Sequence, residues 1–165
     1  MNADELTARL ALVAKYGGEF RVTARESTDL EFKRDMTLPT FKKSLKTIAA
    51  FANKTGGYIV FGVSDNPRLL VWLGGNYLDE GVQSEQIAQA ISPIPETRFE
   101  TFEIHGCELG VFTVLPLRKP PSIAIRDISG GQGEDPVLRK GTFDWRLLGC
   151  LARAKGWLSC KAPNS

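Results

Sequence analysis

The sequence predicts a single α/β domain in which a mixed sheet is packed by two to three helices. Three observations carry this. Phe41, Leu45, Ile48 and Ala52 repeat at helical spacing behind Pro39. Tyr58 to Val63 is an unbroken apolar, β-rich run, the pattern of a strand covered on both faces. Arg98–Ile104 and Cys107–Leu115 read as two strands closing on His105-Gly106.

The elements follow in chain order. Leu6, Leu10 and Val13 space a helix over 3–16, which Gly17-Gly18 ends. Leu30 and Phe32 alternate with Glu31 and Lys33, a half-buried strand. Pro39 opens the amphipathic helix, with Lys42, Lys43 and Lys46 off its apolar stripe, and Asn53 to Gly57 stops it. The strand at 58–63 ends in the turn Ser64-Asp65-Asn66-Pro67. A strand at Leu69–Leu73 precedes Gly74-Gly75. A shorter helix capped by Ser84 runs to about Ile91, ahead of Pro93 and Pro95. After the hairpin, Ser122–Ile125 and Val137–Arg139 add short strands around a Ser129–Pro136 surface loop, and Leu147, Leu151, Ala154 and Leu158 mark a glycine-weakened helix.

A chain of 165 residues, 42% apolar and 24% charged, buries one sizeable core. No apolar run reaches the roughly 20 residues of a membrane span. The first residues, Met-Asn-Ala-Asp-Glu, lack the basic and apolar regions of a signal peptide. Cys107, Cys150 and Cys160 are odd in number and have no metal-site spacing. Free thiols and a cytoplasmic location are therefore expected, without membrane contact.

The net charge of +2 is unevenly spread. Arg21–Lys54 carries eight basic and four acidic residues, Gly75–Gly110 one basic and seven acidic, and Val111 to the end nine basic and four acidic. Two basic segments can converge on one face and supply the local field that phosphates require. Arg25, Lys33, Arg34, Lys42, Lys43 and Lys46 are the candidate nucleic-acid contacts.

Glu26, Glu31 and Asp65 stand at the ends of apolar runs. Carboxylates suit hard cations such as Mg²⁺ or Mn²⁺, which polarise a phosphoryl group and activate a nucleophile. From spacing alone the residues read more readily as an ordinary set of surface and capping acids. A spacing of five aligns Glu26 and Glu31 only if the chain bends near Ser27–Asp29. Lys33 is placed either to meet phosphate in a transition state or to pair with Glu31. The Asn53–Gly57 turn holds no Gly-x-x-x-x-Gly-Lys-Ser/Thr and no Gly-x-Gly-x-x-Gly, so no nucleotide cofactor is expected. His105, in a hairpin turn, reads as an exposed turn residue.

Three motifs in order resemble the Schlafen-type AlbA domain over about residues 20–142. They are Glu26-Ser-x-x-Leu-Glu31-Phe-Lys33, Ile48-Ala-Ala-Phe-Ala-Asn53-x-x-Gly-Gly57 and Tyr58-Ile-Val-Phe-Gly62-Val63-x-Asp65, followed by Ile91-Ser-Pro93 and Val137-Leu-Arg139-Lys-Gly141. The resemblance implies a nucleic-acid-binding domain, of DNA or RNA, such as regulators use. In nuclease relatives two glutamates and an aspartate cut RNA with a divalent metal, and Glu26, Glu31 and Asp65 match those positions, with Lys33 beside them. It divides the chain into an N-terminal helix (1–19), the AlbA-like domain (20–142) and a short tail (143–165) unlike the family's usual continuation. Binding leads, metal-dependent endoribonuclease action is the alternative, and a protein-interaction or dimerisation module, hence a homo-oligomer, is the third reading.

Overall fold

The apolar stripe of Phe41, Leu45, Ile48 and Ala52 is buried to 1% exposure or less, and the fold is organised around it. The computed structural model describes residues 1–15, 17–129, 135–136 and 139–141. Its elements are α1 (Ala3–Leu10), β1 (Leu12–Ala14), β2 (Phe20–Val22), β3 (Leu30–Lys33), α2 (Leu38–Ala52), β4 (Gly57–Phe61), α3 (Glu80–Ala90), β5 (Ile91–Ser92), β6 (Thr97–Ile104), β7 (Cys107–Val114) and β8 (Ile123–Ala124).

The main sheet has the order β3-β4-β7-β6. β3 and β4 are parallel, with α2 as the crossover between them, while β7 runs antiparallel to both β4 and β6. The sheet is therefore mixed, and the described residues form a single α+β domain with three helices. Alternation along the strands sorts side chains to two faces. Ile59, Phe61, Phe112 and Val114 meet Phe41, Leu45 and Ile48 of α2 and Ile87 of α3 in one core. Leu30, Phe32, Val60, Leu109 and Val111 meet Leu6 and Leu10 of α1 in the other. Each such buried side chain contributes about 1.5–3 kcal/mol relative to exposure. Among the described residues, no helix is long and apolar enough to cross a membrane.

Several elements differ from expectation. The first helix stops at Leu10 because Ala11 takes a left-handed conformation (φ 48°), and Leu12–Ala14 pairs instead with Phe20–Val22. Gly17 and Gly18, both at positive φ, turn that hairpin rather than end a helix. α3 begins at Glu80, with the Asp79 carboxylate accepting from the Gly81 N–H at 2.8 Å, so Asp79 and not Ser84 is the cap. The strand expected at Leu69–Leu73 contracts to two bridged pairs, Arg21 with Leu69 and Val63 with Leu70. The Val137–Arg139 strand, most of the Ser129–Pro136 loop and the tail from Phe143, with Cys150 and Cys160, fall on or across positions outside the described residues.

The β6–β7 hairpin turns on His105 (φ 50°) and Gly106 (φ 72°), two left-handed residues as a tight two-residue loop requires. The exposed His105 ring stacks on Phe20, centroids 3.9 Å apart, which ties the hairpin tip to β2.

Candidate functional site

The bend that Glu26 and Glu31 need is present. The Ser27 N–H donates to the Leu30 carbonyl at 2.9 Å, and the chain reverses through Thr28-Asp29. The Ser27 hydroxyl donates to the Asp29 carboxylate at 2.6 Å, and Arg9 of α1 reaches the other oxygen at 3.1 Å. The Ser27 hydrogen bond, with Arg9, outweighs burial and holds the Asp29 carboxyl below its ordinary value.

The bend does not make a shared site of the three acids. The Glu26 carboxylate accepts from the Phe32 N–H at 3.2 Å, on the side of β3 away from β4. It thereby covers part of the sheet's open edge. Glu31 faces α2, where its carboxylate accepts the Thr47 hydroxyl at 2.5 Å and pairs with the Lys33 ammonium at 2.5 Å. Lys33 is paired with Glu31 in this structure.

Asp65 lies exposed in the Ser64–Pro67 turn, which the Ser64 hydroxyl closes on the Pro67 carbonyl at 2.6 Å. Among the described residues no group of three or more His, Cys, Asp or Glu side chains is placed to hold a metal ion. The Mg²⁺ or Mn²⁺ site expected from Glu26, Glu31 and Asp65 therefore does not fit this arrangement. One acid is engaged by backbone, one by Thr47 and Lys33, and one stands among arginines.

That last setting is a basic feature of the described residues. Lys15, Arg21, Arg25 and Arg68 line a cleft of about 430 Å³ together with Val22, Thr23, Asp65, Asn66 and Pro67. Four cations face one carboxylate. The Val22 N–H donates to the Arg68 carbonyl at 2.9 Å and the Leu70 N–H to the Phe20 carbonyl at 3.0 Å, so β2 and the 68–70 segment form its floor. The Arg68 guanidinium is fixed by the Ala24 carbonyl at 2.8 Å and by the face of Phe32, 5.3 Å from the ring centroid. The cleft stands where the chain leaves the C-terminal end of β4, the end at which parallel strands commonly hold ligands.

Arg25 is thus brought to the cleft. Arg34 leaves β3 at the same end of the sheet, exposed, and its neighbour Asp35 secures the start of α2. The Asp35 carboxylate accepts from the Thr37 and Thr40 hydroxyls at 2.8 and 2.7 Å. Burial pushes its carboxyl up, but those hydrogen bonds and the Arg34 charge prevail and hold it below its ordinary value. Lys42, Lys43 and Lys46 ride on α2 within an arc of about 100°, with Lys43 and Lys46 exposed. Arg21 was seen from sequence only as the start of a basic segment, and Lys15 and Arg68 were not singled out at all. Their signal was indirect: each borders a glycine- or proline-containing turn, and only the pairing of β2 with 68–70 brings them together.

Comparison with known proteins adds four findings. The family model described as Schlafen, AlbA_2 matches residues 26–142. An uncharacterized ATP-binding protein of Ureaplasma parvum serovar 3, UU034, is 38% identical over 69 residues, 42% of this chain but 19% of the relative. The DIP2311 protein of Corynebacterium diphtheriae shares the fold with a TM-score of 0.50 at 17% identity, over 73% of this chain and 26% of that one. The N-terminal domain of a RecG-related protein from Nitrosomonas europaea aligns over 86% of this chain and 92% of that domain, at 21% identity and a TM-score of 0.46. The chain therefore spans about a fifth to a quarter of the length of the first two proteins.

Proposed function

The chain belongs to the Schlafen AlbA_2 family, and from that membership we propose that it binds nucleic acid by its phosphate backbone at the basic cleft. One observation supports this reading above the others: Lys15, Arg21, Arg25 and Arg68 gather on one cleft of a chain whose net charge is only +2. Such a field attracts phosphates irrespective of base sequence and steers their approach. Arg34 and the α2 lysines extend the contact along the strand. Phosphate contacts set position and affinity, so DNA and RNA bind comparably and base preference is weak.

Cutting is left out, because among the described residues Glu26, Glu31 and Asp65 form no group placed to hold a metal ion. The Ureaplasma relative is named for ATP binding. Nucleotide phosphates would meet the same cations here, which makes ATP the informative competitor. The test is fluorescence anisotropy with labelled single- and double-stranded DNA and with RNA at low salt. Micromolar binding, weakened at least about tenfold in the Arg21→Ala/Arg25→Ala protein, is the expected result on the usual scale of non-specific affinity. Undiminished binding by that variant would place the contact elsewhere. Displacement by equimolar ATP would assign the cleft to nucleotides instead.

A further inference from the structure

β6 is the outer strand of the main sheet and bonds within it to β7 alone. Four of its eight residues are exposed, and it includes no proline, lysine or bulge, three of the devices that shield an edge. Among the described residues no backbone hydrogen bond reaches its outer side. The register shows which groups are left open. Ile104 pairs with Cys107 at the hairpin turn, and the Leu115 N–H donates to the Glu96 carbonyl at 2.9 Å. Even-numbered residues therefore bond to β7, while Thr97, Phe99, Thr101 and Glu103 point their N–H and C=O outward.

We propose that this edge pairs with a second copy of the chain, antiparallel, with Phe99 opposite Phe99 of the second copy. The register follows from charge. With Phe99 on the axis, Thr97 meets Thr101 of the second copy, and Arg98 meets Glu100 at a non-hydrogen-bonded position, where opposed side chains are closest. Sliding the strands by one step of the hydrogen-bond ladder sets Arg98 against Arg98 in one direction and Glu100 against Glu100 in the other. An odd shift turns every side chain to the wrong face. Only the Phe99-centred register is both in phase with the outward groups and matched in charge at Arg98 and Glu100. In the single chain Arg98 pairs with Glu96 at 2.9 Å, with side chains 66% and 64% exposed, a contact weak enough to exchange. Tyr77 packs on Phe99 with centroids 5.2 Å apart and is 40% exposed, so four aromatic rings gather about the axis. The four-stranded sheet becomes a continuous sheet of eight. One strand edge with its flanking rings is a small interface, so the dimer dissociates in the micromolar range.

Sedimentation velocity of the full chain over a micromolar concentration series tests this. The wild-type chain dimerises with rising concentration. Arg98→Glu and Glu100→Arg each abolish the dimer, because each sets like charges against one another. An equal mixture of the two variants, and the Arg98→Glu/Glu100→Arg double variant, dimerise again, since both restore opposite charges. A wild-type chain that stays monomeric, a dimer indifferent to either reversal, or a mixture that fails to recover overturns the proposal. Should a reversal unfold the chain by circular dichroism, Arg98→Ala/Glu100→Ala serves instead. Weakening of at least about tenfold, with loss of salt sensitivity, supports the register, and an unchanged dimer overturns it. Nucleic-acid binding is measured separately on the Arg98→Glu variant, whose substitution lies outside the cleft, so the two proposals fail independently.

Discussion

Arg68 donates to the carbonyl of Ala24 at 2.8 Å, joining the turn after β4 to the segment that precedes β3. The same guanidinium lies over Phe32, whose side chain is 2% exposed, so its stem is part of the packing as well as of the cleft. Arg68→Ala should therefore lower stability by about 1–2 kcal/mol and also weaken nucleic-acid binding. Arg21 and Arg25 are exposed, and alanine there should weaken binding with stability within about 0.5 kcal/mol of wild type. Urea unfolding and anisotropy on the same three proteins separate the two effects.

Glu31 is predicted to be a stabilising residue. Thr47 is 1% exposed and donates to it, and Lys33 balances its charge. Glu31→Gln keeps an acceptor for Thr47 but loses the ion pair, at a cost of about 1 kcal/mol. Glu31→Ala leaves the buried hydroxyl without this acceptor and Lys33 without its counter-charge, at a cost of about 2–3 kcal/mol. Neither change should reduce nucleic-acid affinity at a temperature where the chain is folded. Loss of affinity in a folded Glu31→Gln protein would contradict this assignment.

Acid should loosen the start of α2, which is fully secured at neutral pH. Asp35 is held below the ordinary aspartate value of 3.8: burial raises its carboxyl, but the Thr40 and Thr37 hydrogen bonds and Arg34 lower it further. A depressed folded-state value means stability that is fully present above 3.8 and is lost as pH falls through the lower folded value. Asp29 adds to the same window, through the Ser27 hydrogen bond first and Arg9 after it, against burial. Thermal melts from neutral pH downward should show Asp35→Asn less stable at pH 7 but less pH-dependent below 3.8 than wild type.

Asn53 is predicted to be structural. Its side chain donates to the Ser122 carbonyl at 2.9 Å and accepts the Ser122 N–H at 2.5 Å, fastening the end of α2 to the segment just before β8. Asn53→Ala should cost about 1–3 kcal/mol by leaving buried backbone groups unpaired, read as a lowered denaturation midpoint with an unchanged slope. Asn53→Asp keeps the acceptor but loses the donor and should fall between the two.

Much of this architecture was legible because burial follows period. Phe41, Leu45, Ile48 and Ala52 announced α2, the run from Tyr58 announced β4, and His105-Gly106 announced the hairpin. What escaped was set by contacts distant in sequence. Leu12–Ala14 carries a helical pattern locally, yet pairs with Phe20–Val22 once Ala11 turns the chain. The bend between Glu26 and Glu31 followed from their spacing, but the direction of each carboxylate depends on Phe32 and Thr47. The cleft was half visible: Arg25 belonged to a basic segment, while Lys15 and Arg68 join it only through the pairing of β2 with 68–70.

The salt dependence of binding tests the central claim most directly. Plots of log affinity against log salt should be compared for the wild-type chain, Arg21→Ala/Arg25→Ala and Lys42→Ala/Lys43→Ala. Each phosphate contact contributes a slope of about 0.7 on a single strand and about 0.9 on B-DNA. Binding at the cleft predicts that the arginine pair lowers the slope by about 1.4–1.8, on DNA and RNA alike, and that the α2 pair lowers it less. A slope unchanged by loss of Arg21 and Arg25, or a salt-independent affinity, would contradict the account.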